Sequence, residues 1–600
     1  MTPILAVDTE ATGLGPKDRA FGISWKFTNR HPEYIDIRER GARYFIQAYR
    51  DTRCPIVCHN ASYDYRMLRN VGISLPLERM HDTVIRATLI NEHELNYSLD
   101  ALAFKYLGRK KDAEIYERMA ELFGGRPTRN AQIARIAMAP SEIVSPYAKT
   151  DAELTHDLWQ WQEVEIERQH IEAIVAFERS VMPAVIEAEC RGIRVDVDAA
   201  ERAVEALTVT IDQYLAQLFD LAGKPFNLNS PKQVRELYRP TRSNGQWYAA
   251  NGMQLPMTPK GEPSFSADAL QAIHDPLALS IIDTRSLIKT RDTFLRGHVL
   301  RNAIDGRVYP RINQTKGEDG GTGTGRFSYT EPALQQIPSR DEDVAARLKS
   351  IFLPDEGQIW LDADMHSFEV RVFIHLINNV KLIQLYYENP LLDFHQHVAE
   401  LMGLPRKAKH AGEANAKTLD MAMLFSCGDG LVADMLSLPW EWSEFKKAGR
   451  VIRYRKAGVQ AKELIEKYHQ MIPGIRNLSK RASSIAEQFG YCETYAGRHL
   501  RFQHGYGTHK ASALTTQATA ADINKKNWLL IREALDGQGH LLLNTHDSYG
   551  ISVPENWQPL WKRIQEAVQE GHPWMRVPLI LELSGIGVNW WDAISGEKPC

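Results

Sequence analysis

The sequence predicts a multidomain protein assembled from α/β and α+β units, and three observations predict it. Its 600 residues, at roughly 150 per domain, correspond to about four structural units, and 44% hydrophobic residues are enough to give each a core. Up to about residue 175, apolar strands such as Ile4 to Asp8 and Phe21 to Phe27 alternate with helical stretches such as Tyr63 to Asn70 and Ala148 to Arg168. Beyond that point, long helical stretches alternate with segments that mix strand and helix.

Residues 176–300 are mostly helical, interrupted from Arg239 to Pro263 by a polar stretch with Gly and Pro that reads as loop and short strands. Residues 306–380 mix strands with the glycine-rich loop Gly317 to Arg326. A long helical region is expected from Asn389 to about Gln488, and the last hundred residues return to strand and helix. No repeat, low-complexity tail or apolar run of membrane-spanning length interrupts this order, and no basic leader precedes Asp8. The formal net charge of −3 averages acidic and basic stretches, so partners have to be sought in local charge. Six scattered cysteines fit no disulfide framework and predict a reducing compartment, the cytoplasm. Cys54 to Cys58 reads as a buried strand and not a metal knuckle, because no second ligand pair follows.

Asp8 and Glu10 sit at the end of the first apolar strand, two residues apart and so on one face. Asp64 opens a helix after a second strand, and Tyr147 and Asp151 stand one helical turn apart. Clustered carboxylates repel unless cations neutralise them, so these four acids form a natural site for two magnesium ions that clamp a scissile phosphate.

A second set lies in the C-terminal part. The strand Gln358 to Asp364 ends on an acid and leads into a helix carrying Glu369 and Arg371, while Leu541 to Val553 reads as a hairpin with Asp547 at or beside its turn. Two carboxylates fixed on rigid strands are what nucleotidyl transfer requires. Between them Lys417, Met421, Phe425 and Gly428 recur at helical spacing, a cation followed by an apolar stripe on one face.

Taken in order over nearly the whole chain, these motifs resemble the family A DNA polymerases of the DNA polymerase I type. The N-terminal set resembles the DEDD-type 3'-5' proofreading exonucleases in the variant that carries a tyrosine. The resemblance implies a ribonuclease-H-like exonuclease domain over 1–175, then a right-hand polymerase: thumb and connecting helices at 176–305, palm at 306–380 and 509–600, fingers at 381–508. Asp8, Glu10, Asp64 and Asp151 would be metal ligands, with Tyr147 orienting the attacking water. Asp364 and Asp547 would be the catalytic ligands of the polymerase, each active site holding two Mg2+ ions, with Mn2+ as a substitute.

Glu369 would exclude a ribose 2'-hydroxyl, Lys417 would meet the triphosphate and protonate departing pyrophosphate, and Met421 and Phe425 would pack on base and sugar. In the family these two positions usually carry Phe or Tyr, and Tyr. The family's arginine one turn before the lysine is Glu413 here, with His410, Lys409 or Arg406 as replacements. DNA contacts would come from Thr324, Arg326, Arg371, Gln517 and His546, with Ala513 standing where an asparagine is common. Phosphate contacts are expected from Lys446 through Lys456 and from Arg498, Arg501 and Lys510.

The implied partners are primer-template DNA, deoxynucleoside triphosphates and a single-stranded 3' end, bound by a monomer without membrane association. Leu583 to Trp590 resembles the family's C-terminal ending. No 5'-nuclease domain precedes Asp8, which suits a phage-like replicase acting in a bacterial cytoplasm, and the thumb region lacks the long insertion by which some phage polymerases recruit thioredoxin, so that partner is not expected. Three rivals compete: a single-subunit RNA polymerase, disfavoured by Glu369 and the complete nuclease set; a non-catalytic subunit, which would have lost metal ligands; and a nuclease whose C-terminal part merely holds DNA.

Overall fold

The computed structural model describes residues 3–111, 114–250, 252–258, 260–317, 320–339, 341–408, 413–447 and 450–596. Lys409 and His410 lie outside them. The chain divides into two compact units, one of Met1–Arg191, Ile312–Thr330 and Asp362–Ser584, the other of Gly192–Arg311, Glu331–Leu361 and Gly585–Cys600.

In the first unit, β1 (Leu5–Ala11), β2 (Ala20–Phe27), β3 (Glu33–Asp36), β4 (Ile56–Cys58) and β5 (Met80–Asp82) form one sheet in the order β3-β2-β1-β4-β5. β1 runs antiparallel to β2 and parallel to β4. Leu5 and Val7 pack among Ile23, Trp25, Ile56 and Met67, and burial on both faces is why residues 4–7 read as an unbroken apolar run. The strand continues past Asp8 to Ala11, so both acids lie inside the ladder, with a register shift after Glu10.

The helix α1 (Ala61–Arg69) follows β4. The helix α2 (Ser141–Gln169) starts at Ser141 and not at Ala148, which brings Tyr147 onto the same helix as Asp151. Next comes α3 (Glu172–Arg191), whose Met182 and Ile186 join the core of the sheet.

The rest of this unit is built on β6 (Ile359–Met365), α4 (Phe368–Ile377), α5 (Phe394–Met402), α6 (Ala416–Leu424), α7 (Asp429–Met435), β7 (Trp440–Lys447), β8 (Arg450–Ala457), α8 (Val459–Met471) and α9 (Ala511–Leu535). It closes with β9 (His540–Thr545), β10 (Ser548–Val553) and β11 (Leu581–Gly587), in a sheet of order β9-β10-β6-β11. Phe373, Tyr386, Val398, Leu419, Ile465 and Tyr468 share one core. The expected helical region from Asn389 to Gln488 needs correction, because the antiparallel ribbon β7–β8 interrupts it. Trp440-Glu-Trp-Ser-Glu-Phe and Val451-Ile-Arg-Tyr-Arg are rich in aromatic and β-branched residues that suit extended backbone, a local signal that outweighs the helical character of the flanks.

The second unit is largely helical, with Val197–Ala222 and Pro276–Lys289 its longest α-helices. Thr241–Ser243, Gln246–Tyr248 and Gln254–Leu255 form the short strands expected before Pro263. Trp360 stacks on Trp590 with ring centroids 5.8 Å apart. No helix among the described residues is long and apolar enough to cross a membrane, and the five described cysteines are unpaired.

Candidate functional site

The N-terminal acids converge. Asp8 and Glu10 from β1 and Asp151 from α2 each offer an oxygen within 4.8 Å of the others. Asp64 lies outside that closest set. One of its oxygens accepts from the Thr9 amide at 3.1 Å and the Thr9 hydroxyl at 2.8 Å, which fastens α1 to β1, while its buried Oδ2 has no protein partner. Asp151 Oδ1 is likewise buried and unpartnered.

Burial, followed by the neighbouring carboxylates, raises Asp8 well above the ordinary carboxylate value and pushes Glu10 up to about 8. Burial also raises Asp64 to about 8 and raises Asp151. Tyr147 is buried beside Asp151, and burial raises its phenol. An unforeseen cation answers the cluster: Lys111 Nζ lies 2.6 Å from Asp151 Oδ2 and 5.5 Å from the centre of the Tyr147 ring. In the sequence it stands in Arg109-Lys110-Lys111, a charge run that ordinarily marks a solvated face.

The C-terminal acids are also brought together. The Met365 amide donates to the Asp547 carbonyl at 3.0 Å, which sets the turn between β9 and β10 against the end of β6 that carries Asp364. His546, with φ of 65°, starts that turn and is exposed. A buried amide pair supports it: Asn524 on α9 and Asn544 on β9 exchange hydrogen bonds at 3.0 and 3.1 Å, and Tyr549 donates to Asn524 at 2.5 Å. Neither asparagine was marked by the sequence, since neither belongs to a carboxylate or cation pattern.

A cavity of about 220 Å³ opens beside the turn, lined among others by Arg326, Glu369, Asn524, His546 and Asp547. Arg326 makes an ion pair with Glu369. Burial raises Asp547 and Glu369 against the opposing pull of Arg326. Gly325 has φ of 81°, and a Cβ there would lie 2.6 Å from the Arg498 guanidinium carbon, so only glycine fits ahead of Arg326. Thr324 lies 3.4 Å from Thr322 through their hydroxyls, and Gln517 is half-buried on α9.

On α6, Lys417 is exposed and Met421 and Phe425 are half-buried, whereas Leu419, Asp420 and Met423 face inward. Gly428 does not continue this face, because α6 ends at Leu424 and Gly428 caps the start of α7. Buried Asp420 fixes the helix: His395 Nδ1 lies 2.6 Å from one of its oxygens and the Tyr468 hydroxyl donates to the other at 2.5 Å. Arg406 is engaged with Asp393 at 2.6 Å, while its carbonyl accepts from the Lys417 amide.

Three basic residues need correction. Arg371 has no exposed surface; its guanidinium donates to the carbonyls of His366, Pro578 and Pro390 and lies over Tyr386, so it clamps the protein interior and cannot reach DNA. Burial lowers it to about 10. Arg498 is buried between Glu178 and Asp522, and Arg501 pairs with Glu92 at 2.6 Å, so neither is placed to meet phosphate. Inward-facing arginines that satisfy carbonyls or acids look like surface charge in sequence.

The family model described as DNA polymerase family A matches residues 197–592, and that described as 3'-5' exonuclease matches residues 1–167. A DNA polymerase DpoZ from Vibrio phage phiVC8 is 50% identical, covering 98% of this chain and 96% of its own. A second DNA polymerase DpoZ, from Acinetobacter phage SH-Ab 15497, is 42% identical over 99% and 98% of the two chains. In three dimensions the chain is similar to the POL domain of Pol1 from M. smegmatis, solved in complex with DNA primer-template and dNTP. That match covers 99% of this chain and 97% of the other, with a TM-score of 0.78 and 22% identity, a likeness of fold.

Proposed function

Since the chain belongs to DNA polymerase family A and carries a 3'-5' exonuclease domain, we propose that it extends a primer on a DNA template with deoxynucleoside triphosphates during replication, and trims the 3' end at its N-terminal acids. The observation that carries this reading is the bond between the Met365 amide and the Asp547 carbonyl, which holds Asp547 in its turn against the end of the strand that bears Asp364, beside a cavity large enough for small groups. Hard oxygen donors and buried, unpartnered carboxylate oxygens suit divalent cations of the magnesium class. Asp364 and Asp547 would hold them in the polymerase site, and Asp8, Glu10, Asp64 and Asp151 in the nuclease site. Bound there, Mg2+ would neutralise phosphate charge and lower the pKa of the attacking oxygen.

The remaining work falls to the protein's own groups. Lys417 stands at the exposed start of α6, where an ammonium can neutralise a triphosphate and return a proton to the leaving pyrophosphate. Met421 and Phe425 offer the apolar face for base and sugar. Glu369, oriented by Arg326, closes the position of a 2'-hydroxyl, so ribonucleotides would leave a half-buried carboxylate wrongly paired. Arg326 and Gln517 read minor-groove acceptors that every base pair presents, and His546 meets the primer terminus. In the nuclease site Tyr147 orients water toward the phosphate.

The division into exonuclease, thumb, palm and fingers at 175, 305, 380 and 508 follows from the same reading, as do a monomeric state and action in the cytoplasm of a bacterial host. Asp547→Ala tests the assignment. Primer extension falls below detection while degradation of a single-stranded 3' end proceeds at the parental rate; undiminished extension would remove Asp547 from catalysis.

A further inference from the structure

The ribbon β7–β8 is unlike the rest of the surface. Eight cross-strand pairs join Trp440–Lys447 to Arg450–Ala457. Its base is fixed to α7: Trp440 Nε1 donates to Asp434 at 2.9 Å, and Ala457 is buried against Ala433 and Ala461. Gly430 lies so close to the Arg455 backbone that a Cβ would stand 2.0 Å from its carbonyl oxygen. Among the described residues no further strand pairs with it, and it exposes Trp442 (50%), Phe445 (46%), Val451 (57%) and Tyr454 (40%).

By the cross-strand register Trp442 and Val451 lie on one face of the ribbon and Phe445 and Tyr454 on the other. Exposed apolar surface on both faces of such a ribbon marks an interaction site, and charge states what it meets. Six residues of 440–457 are Lys or Arg and two are Glu, in a chain whose formal net charge is −3. One face interleaves cations with rings, Arg453 lying 4.6 Å and Arg455 5.4 Å from the centre of the Trp442 ring, while on the other Phe445 meets Tyr454 edge to face at 5.6 Å. A polyanion fits the charge, and duplex DNA would engage it but would hide its base faces in the helical stack. Flat rings interleaved with arginines are the surface on which unpaired bases stack while phosphates run along the cations.

We propose that the β7–β8 ribbon is a single-stranded DNA-binding arm that grips the unpaired template ahead of the primer end. The choice of strand rests on the polymerase reading above, because the ribbon follows the nucleotide-facing helix α6 through α7 alone. The template that approaches α6 is the single strand nearest to it along the chain.

The test uses the full chain and primer-templates with 5' template overhangs of about 2 and about 20 nucleotides, the longer one well beyond a single-strand site size. The parental protein binds the long overhang more tightly, by about tenfold for each stacked base. The triple variant Trp442→Ala, Phe445→Ala, Tyr454→Ala loses that gain but keeps parental affinity and extension on the short overhang. Arg453→Ala, which leaves the rings in place, lowers the slope of log affinity against log salt by about 0.7 on the long overhang only. Exonuclease activity on a short oligonucleotide verifies that each variant is folded.

Equal affinity of the parental protein for both overhangs, with extension intact, would overturn the arm, leave the polymerase assignment standing and assign the surface to an acidic protein partner. A triple variant that keeps the full gain would overturn it too. Failure of the parental protein to extend either template would instead strike the polymerase reading.

Discussion

Lys111 shows what one side chain does to a charged site. Its ammonium neutralises part of a carboxylate cluster that burial has already made reluctant to ionise. It also competes for Asp151 with any divalent ion. Removing it makes the acids hold protons more tightly, but a doubly charged ion gains about twice as much from the lost repulsion as a proton does. Lys111→Ala therefore lowers the Mg2+ concentration for half-maximal exonuclease activity several-fold and leaves primer extension unchanged. A titration of activity against Mg2+ measures it, and an increased requirement would show that Lys111 assists the ion.

At the scale of elements, the ribbon depends on one close approach. Gly430 lets β8 rest against α7, and an added methyl would collide with backbone that cannot yield. Gly430→Ala loosens the ribbon at its base, so limited proteolysis cuts between 440 and 457 faster while the nuclease rate holds; equal cleavage would show that the backbone accommodates the methyl. Elements also divide what could be read in the sequence from what could not. The acids Asp8, Glu10, Asp151, Asp364 and Asp547 were legible because carboxylates at apolar strand ends and one-turn helical spacings are local patterns. The β7–β8 ribbon was hidden inside a helical stretch, although its residues favour extended backbone one by one. Arg371 and Arg498 were misread as DNA contacts because a charged residue does not declare in sequence whether it faces inward. The pairing of Asp420 with His395 and Tyr468 joins residues from three helices, a contact that no window of the chain contains.

Across the whole molecule, the first unit is held by a buried charge network. Glu178 on α3 receives Lys525 at 2.5 Å and also Arg498, and Arg498 reaches Asp522 at 2.7 Å. Burial alone would raise Glu178; the two cations overcome it and hold the carboxyl below its usual 4.5. A carboxyl depressed in the folded state adds stability that is fully present above its unfolded value and lost as pH falls through the folded one. Thermal unfolding followed against pH should thus show the parental protein losing more stability below about pH 4.5 than Glu178→Gln does. At neutral pH the same variant loses about 3–5 kcal/mol by leaving two buried cations to one acid. Parallel curves would mean that Glu178 is protonated in the folded protein.

Those ties have a consequence for traffic within the enzyme. Helix α3 packs through Met182 and Ile186 on the sheet that bears Asp8 and Glu10, and through Glu178 on the helix α9 that supports Asp547 by way of Asn524. On the proposed reading, one helix thereby connects the place of editing to the place of synthesis. With both workbenches tied to a common frame, a mispaired terminus would, on that reading, have to fray and make the journey itself, and the ease with which its last base pairs melt would set how often it is inspected.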